Sequence, residues 1–265
     1  DNLLEAKNLL GRTYAEIGDF DKAMEIYMVT LKQAEESGNL NGLCVCLLHL
    51  GNIYSNKGDF KNAMDYFQRS LEICKKAGNK QGIGSVMHNM GLIYKYKGDY
   101  EKFINYISNS IDLFEMIGDK ISMANAHANL GLSSLDKGEY NKALDYFELA
   151  LEQYKKLSNK KLIGLTFNNI GSAYWRKLDY KKALHYCFQS IKILKQLDDK
   201  LSLATPLGSI GLIACDKGDY KMALKYHNEA FEINTVCEDK PQMVTSLNNI
   251  GTVYAKQGEY NKALE

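Results

Sequence analysis

The side chains best able to do chemistry in this sequence are five histidines and six cysteines, and their spacing argues against a catalytic centre. Nucleophilic catalysis needs a nucleophile, a base and an orienting acid in fixed mutual geometry. His49, His88, His127, His185 and His227 occupy different places in the sequence pattern, and no such trio recurs at any spacing. Cys44, Cys46, Cys74, Cys187, Cys215 and Cys237 include no C-x-x-C pair, so they indicate neither a zinc cage nor a disulfide framework. Reduced thiols packed as small hydrophobes in a cytoplasmic protein are the expectation. His49 and His88, with Cys44 or Cys46, could approach one another across neighbouring helices, but partly buried or groove-facing histidines are the favoured reading. No phosphate-cradling loop occurs, because the glycines are spread along the chain. The sequence is therefore read as non-enzymatic, with no catalytic residues, no metal and no cofactor, and its chemistry as non-covalent recognition.

The elements that must present such a surface are set by Gly11, Gly51, Gly91, Gly131, Gly171, Gly211 and Gly251, each 40 residues after the last. A strict period of this length is the signature of a solenoid, whose units bury their apolar faces only against their neighbours. Six units, 1–40, 41–80, 81–120, 121–160, 161–200 and 201–240, precede a partial one, 241–265, and the absence of any linker predicts a single array. Apolar residues three and four apart predict two amphipathic helices per unit, as in 83–97 and 100–117, around the Gly98-Asp99 turn. Gly18, Gly58, Gly98, Gly138, Gly218 and Gly258 stand where a left-handed residue ends the first helix; an acid follows each, and the Asp members, Asp19, Asp59, Asp99 and Asp219, are placed to cap the second. Small residues such as Ala23, Ala63 and Ala143 mark close approach, and large ones such as Tyr54 and Phe60 fill the gaps between helices.

Four departures locate irregularity. Leu178 replaces a turn glycine and predicts a different turn; Phe103 replaces a small alanine and predicts a third unit set slightly apart. Pro206 predicts a helix that starts late or bends, whereas Pro241 fits a first helical turn.

Lys plus Arg number 33 and Asp plus Glu 32, a net charge of +1 with no run of like charge. This balance argues against nucleic acid or an anionic membrane as the main partner, since both demand clustered cations. No apolar stretch approaches the roughly 20 residues that span a bilayer, and no signal-peptide pattern opens the chain. A start without Met and a stop inside a repeat suggest a segment of something longer.

The order Asn-x-Gly-x-x-Tyr, Gly-Asp-Tyr-x-x-Ala-Leu and then a small residue resembles the tetratricopeptide repeat along the whole chain. The usual unit has 34 residues. The longer variant here is similar to the Leu-Gly-Asn-repeat polarity adaptors and to bacterial sensory arrays that precede histidine-kinase, cyclase or regulator domains. The resemblance implies an all-α, right-handed superhelical solenoid of antiparallel helix pairs whose first helices line a concave groove for a peptide. It further implies that the residue two before each repeat glycine faces that groove: His49, Asn89, Asn129, Asn169, Ser209 and Asn249, with Leu9 the exception. Each carboxamide offers a donor and an acceptor to a peptide unit of any sequence, or else bonds to the adjacent repeat. The same face continues through Asn52, Leu92 and Leu132 and then through Asn56, Tyr96, Asp136 and Arg176, rows that vary from unit to unit and supply specificity or are simply solvated. Co-chaperone repeats of similar type clamp a C-terminal carboxylate with basic residues, but the matching places carry Glu5, Asn8, Ser85, His88 and Asn89, and only Asn52 fits. Trp175 reads as inter-repeat packing rather than as a partner anchor. The expected function is a protein-interaction scaffold binding a peptide or protein segment, an adaptor in signalling. The alternative is the regulatory portion of a larger signalling enzyme, and exposed terminal repeats could also support self-association.

Overall fold

The computed structural model describes residues 2–197 and 199–264, with side chains from Ala6 onward; the side chain of Glu5 lies outside the described residues. Every regular element described is helical, and the chain divides into two compact units, residues 1–126 and 127–265. The first holds α1 (Asn2–Glu16), α2 (Phe20–Ser37), α3 (Leu40–Asn56), α4 (Phe60–Lys76), α5 (Lys80–Tyr96), α6 (Tyr100–Ile117) and the opening of α7 (Lys120–Asp136). The second holds the rest of α7, α8 (Tyr140–Lys156), α9 (Lys160–Arg176), α10 (Tyr180–Leu194) with a 3₁₀ turn at Lys195–Leu197, α11 (Lys200–Asp216), α12 (Tyr220–Val236), α13 (Lys240–Lys256) and α14 (Tyr260–Leu264).

Helix ends follow from the side chains beside them. Asp19, Asp59, Asp99, Asp179 and Asp219 each accept from the backbone N–H three residues on, satisfying a donor that the second helix cannot use. Glu139, one methylene longer, makes no such bond. The first helices begin earlier than the apolar pattern suggests, at Lys80 rather than residue 83, because Asn79 caps α5 through Gly82 N–H, as Asn39 caps α3 through Gly42 N–H.

The turn at Leu178 is not the different one expected. Leu178 takes φ 63° and donates to the Trp175 carbonyl at 2.8 Å, and Asp179 donates to that of Tyr174 at 2.9 Å. The pattern is that of Gly58, at φ 77°, and Asp59. The capped start of α10 holds this backbone, and leucine bears a left-handed strain of about 1–2 kcal/mol. Pro206 does not delay α11 either: the helix starts at Lys200, where Asp199 binds both the N–H and the hydroxyl of Ser202, and runs through the proline. Pro241 stands in the first turn of α13, where no N–H is needed.

The core is built on a contact that recurs in the first six helix pairs. A Cβ on Gly51 would lie 2.4 Å from Phe67, and one on Gly131 2.5 Å from Phe147, so the glycines admit a ring from the second helix against the backbone of the first. The same gap takes Tyr27, Ile107, Cys187 and His227 in other units. In the third unit Phe103 is fully buried, and the smaller Ile107 in the gap makes room for it. A Cβ on Gly91 would still stand 3.1 Å from Ile107, so α5 and α6 remain closely packed instead of spreading. In the compact unit 1–126 this packing joins Ala63, Phe67, Val86, Met90 and Ile93 across α4 and α5. In the compact unit 127–265 Ala143, Phe147, Leu151, Ile170 and Ala173 form the corresponding core of α8 and α9.

Candidate binding cleft

Helical spacing of three and four puts Asn52 and Asn56 on one face of α3 and Asn89, Leu92 and Tyr96 on one face of α5. Close packing of α3 on α4 through Gly51 sets the Phe67 ring beneath this face, and Phe60 at the start of α4 rises beside it. Together they enclose a cleft of about 580 Å³ that Ser55 also lines. This is within the range of ligand-binding sites, about 300–1,000 Å³.

Asn89 donates through Nδ2 to Asn52 Oδ1 at 2.7 Å, across adjacent units. That bond uses one polar atom of each carboxamide. The second acceptor, Asn89 Oδ1, and the Asn52 amino group make no hydrogen bond among the described residues, and both side chains are half-buried. At this pair the amides bond between repeats, and each carboxamide keeps one polar group without a hydrogen bond. Tyr96 stacks on Phe60 with ring centroids 5.5 Å apart and planes 18° apart, yet is 74% exposed. A smaller recess of about 240 Å³ shares Asn52 and Asn89 with the cleft and continues past Leu48, Ser85 and His88 to Asn125. Burial pushes His88 down to about 4, so its ring is neutral at pH 7.

Five of the expected site residues, Asn52, Asn56, Asn89, Leu92 and Tyr96, therefore meet in one place. His49 is not among the residues lining it: its ring stacks on Tyr27 at 4.9 Å, and burial, aided by Arg12, pushes it down to about 4. In the second unit, Asn129 and Leu132 are half-buried on α7, Leu132 against the α8–α9 core, while Asp136 is exposed. Asn169 on α9 and Asn249 on α13 are half-buried, and Arg176 is exposed with its guanidinium 5.2 Å from the Trp175 ring centre. Trp175 is half-buried against the α10–α11 core and donates to Asp216 at 2.9 Å, and Asp216 also accepts from Lys256 at 3.2 Å. These bonds link α9, α11 and α13.

Phe60, Phe67 and Ser55 were missing from the sequence-derived site. Phe60 was legible only as an interhelix gap filler, and Phe67 belongs to the gap-filling row, which varies too much in type to be recognised from spacing alone. The cysteines take no part: five are buried and Cys237 is exposed, all as free thiols. No group of three or more metal-ligating side chains occurs among the described residues, and no described helix is long and apolar enough to cross a membrane.

Paired helices of this length, repeated with a glycine gap and a glycine-acid turn, define an all-α helix-pair solenoid. A tetratricopeptide-repeat model matches residues 43–116, 122–196 and 202–265, and a second covers 4–28, so the chain belongs to the tetratricopeptide repeat family. No curated protein matches the sequence. The fold is similar to the apo form of RapI, at 17% identity and a TM-score of 0.76 over 98% of this chain and 93% of that one. It is also similar to NprR in complex with its cognate peptide NprX, at 18% identity and a TM-score of 0.69 over 100% and 76%. A signal transduction ATPase with a tetratricopeptide repeat sensor from Pyrococcus horikoshii aligns at 18% identity and a TM-score of 0.76, over 98% of this chain and 40% of that one.

Proposed function

We propose that this chain is a non-enzymatic interaction module that holds an extended peptide or protein segment on the face shared by its first helices, as a cytoplasmic adaptor in signalling. The observation that carries the reading is the cleft in which Asn52, Asn56 and Asn89 converge beside Leu92 and Tyr96. Amides provide main-chain bonding without regard to sequence, and the apolar residues beside them supply burial. The co-crystallised peptide of NprR supports it by analogy of fold. Near-neutral charge is consistent with a polypeptide ligand rather than nucleic acid or a membrane surface.

The test is partner capture from a cell extract followed by calorimetry on the purified partner. Replacing Asn52 and Asn89 together by Ala is expected to weaken binding about tenfold or more, because two bonding groups of the cleft are lost. Unchanged affinity with intact helicity rejects the reading. A second reading, the sensory portion of a larger signalling enzyme, draws on the Pyrococcus horikoshii protein, of which the matching region is 40%. In that reading the segment held in the cleft controls a catalytic domain elsewhere in the polypeptide.

A further inference from the structure

The cleft has a chemistry narrower than that of a general peptide groove, and this inference rests on the binding reading above. Its row of residues five after the repeat glycine is otherwise polar: Glu16, Asn56, Asp136, Arg176, Asp216 and Lys256. Tyr96 is the aromatic exception, and it is three-quarters exposed although Phe60 holds one face of its ring. A ring fixed on one side and open on the other is a platform for a third ring, since offset stacking adds to simple burial. The residues lining the cleft are carboxamides, a serine, a glycine, a leucine and aromatic rings, with no formal charge at pH 7. A charged side chain entering it would lose hydration and find no counter-ion. Beside the platform, the Asn52–Asn89 pair leaves one carbonyl oxygen and one amino group uncommitted, the complement of a single peptide group. Reversing both amides end for end would leave the same complement.

We propose that the cleft between α3 and α5 takes an uncharged peptide segment bearing an aromatic side chain. The ring stacks on the open face of Tyr96, and the adjoining peptide group bonds the Asn52–Asn89 pair.

Three acetylated, amidated pentapeptides test this: Gly-Ala-Phe-Ala-Gly, the same with Leu at the centre, and Gly-Asp-Phe-Asp-Gly. Binding to the full chain is followed by NMR of the asparagine side-chain amides and the Leu92 methyls. The Phe peptide is expected to shift the Asn52 and Asn89 signals at concentrations about tenfold below those needed for the Leu peptide, and the Asp-flanked peptide to bind least. Tyr96→Ser, at a three-quarters exposed position, should erase the preference for Phe over Leu, whereas Asn89→Ala should weaken both. Equal binding of Phe and Leu peptides, or a preference that survives Tyr96→Ser, overturns the aromatic platform and leaves the peptide-binding reading standing. Equal binding of the Asp-flanked peptide overturns the uncharged segment. No shift of the asparagine signals by any of the three at millimolar concentration overturns the proposal, and the loss of partner binding in the Asn52/Asn89 variant then decides separately whether the cleft binds a polypeptide at all.

Discussion

Gly51→Ala isolates the contact that shapes the cleft. The new methyl carbon would lie 2.4 Å from Phe67 Cε1 and 2.5 Å from Cδ1, against an optimum of about 3.5–4.0 Å between carbons. About 1 Å must be found. Phe67 is fully buried among Ala63, Val86, Met90 and Ile93, so the ring cannot swing aside and α3 must move away from α4. Overpacking of this kind costs about 1–3 kcal/mol. Alanine in place of glycine within a helix returns roughly 0.5–1 kcal/mol, leaving a net loss of up to about 2.5 kcal/mol. Gly208 in α11 provides the control, because a Cβ there meets no atom within 4 Å. Gly208→Ala should therefore stabilise by about 0.5–1 kcal/mol, the backbone term alone. Since repeat arrays need not unfold as one unit, denaturant titration by circular dichroism should be paired with amide hydrogen exchange in α3 and α4. Stabilisation by Gly51→Ala equal to that by Gly208→Ala would refute a close contact between α3 and Phe67.

His227 fills the gap at Gly211 with both ring nitrogens buried and without a partner, and burial pushes it down to about 4 from an ordinary 6.5. The unfolded chain then takes the proton first as pH falls, so this contribution to stability is intact above about pH 6.5 and is lost progressively toward pH 4. His227→Phe, matching the ring at Gly51, is expected to raise stability at pH 7 by about 1–2 kcal/mol and to flatten the acid side of a midpoint-against-pH curve. Parallel curves for the two proteins would contradict this. Leu178→Gly should stabilise by about 0.5–1 kcal/mol in denaturant titration, by removing left-handed strain at a side chain that is 70% exposed. A lower midpoint would mean that leucine makes a contact outweighing the strain.

Local rules that depend on residue type at a fixed offset were readable from the chain: the aspartate caps, the left-handed glycines and the small-residue gaps appear in the fold as the spacing implied. The departures from the repeat are settled by their neighbours. Leu178 keeps its turn because the flanking helix ends are already capped, and Phe103 is accommodated because Ile107, four residues on, is smaller than the ring found there in other units. Such compensation is visible only when two positions are read together. The site was half legible for a similar reason. Its amides and Tyr96 come from first helices and repeat at set places, but Phe60 and Phe67 reach it from the second helix, and periodicity alone gives no sign of which gap-filling ring will also show an edge to the cleft.

The carboxamide pair at Asn52 and Asn89 bears on how a strand would lie there. A donor and an acceptor exposed side by side serve a backbone threaded from either terminus equally well, so the pair has no sense of direction. Orientation would have to be imposed by Tyr96, which lies to one side of the pair, and a sequence read backwards could be admitted wherever its ring still falls on that side.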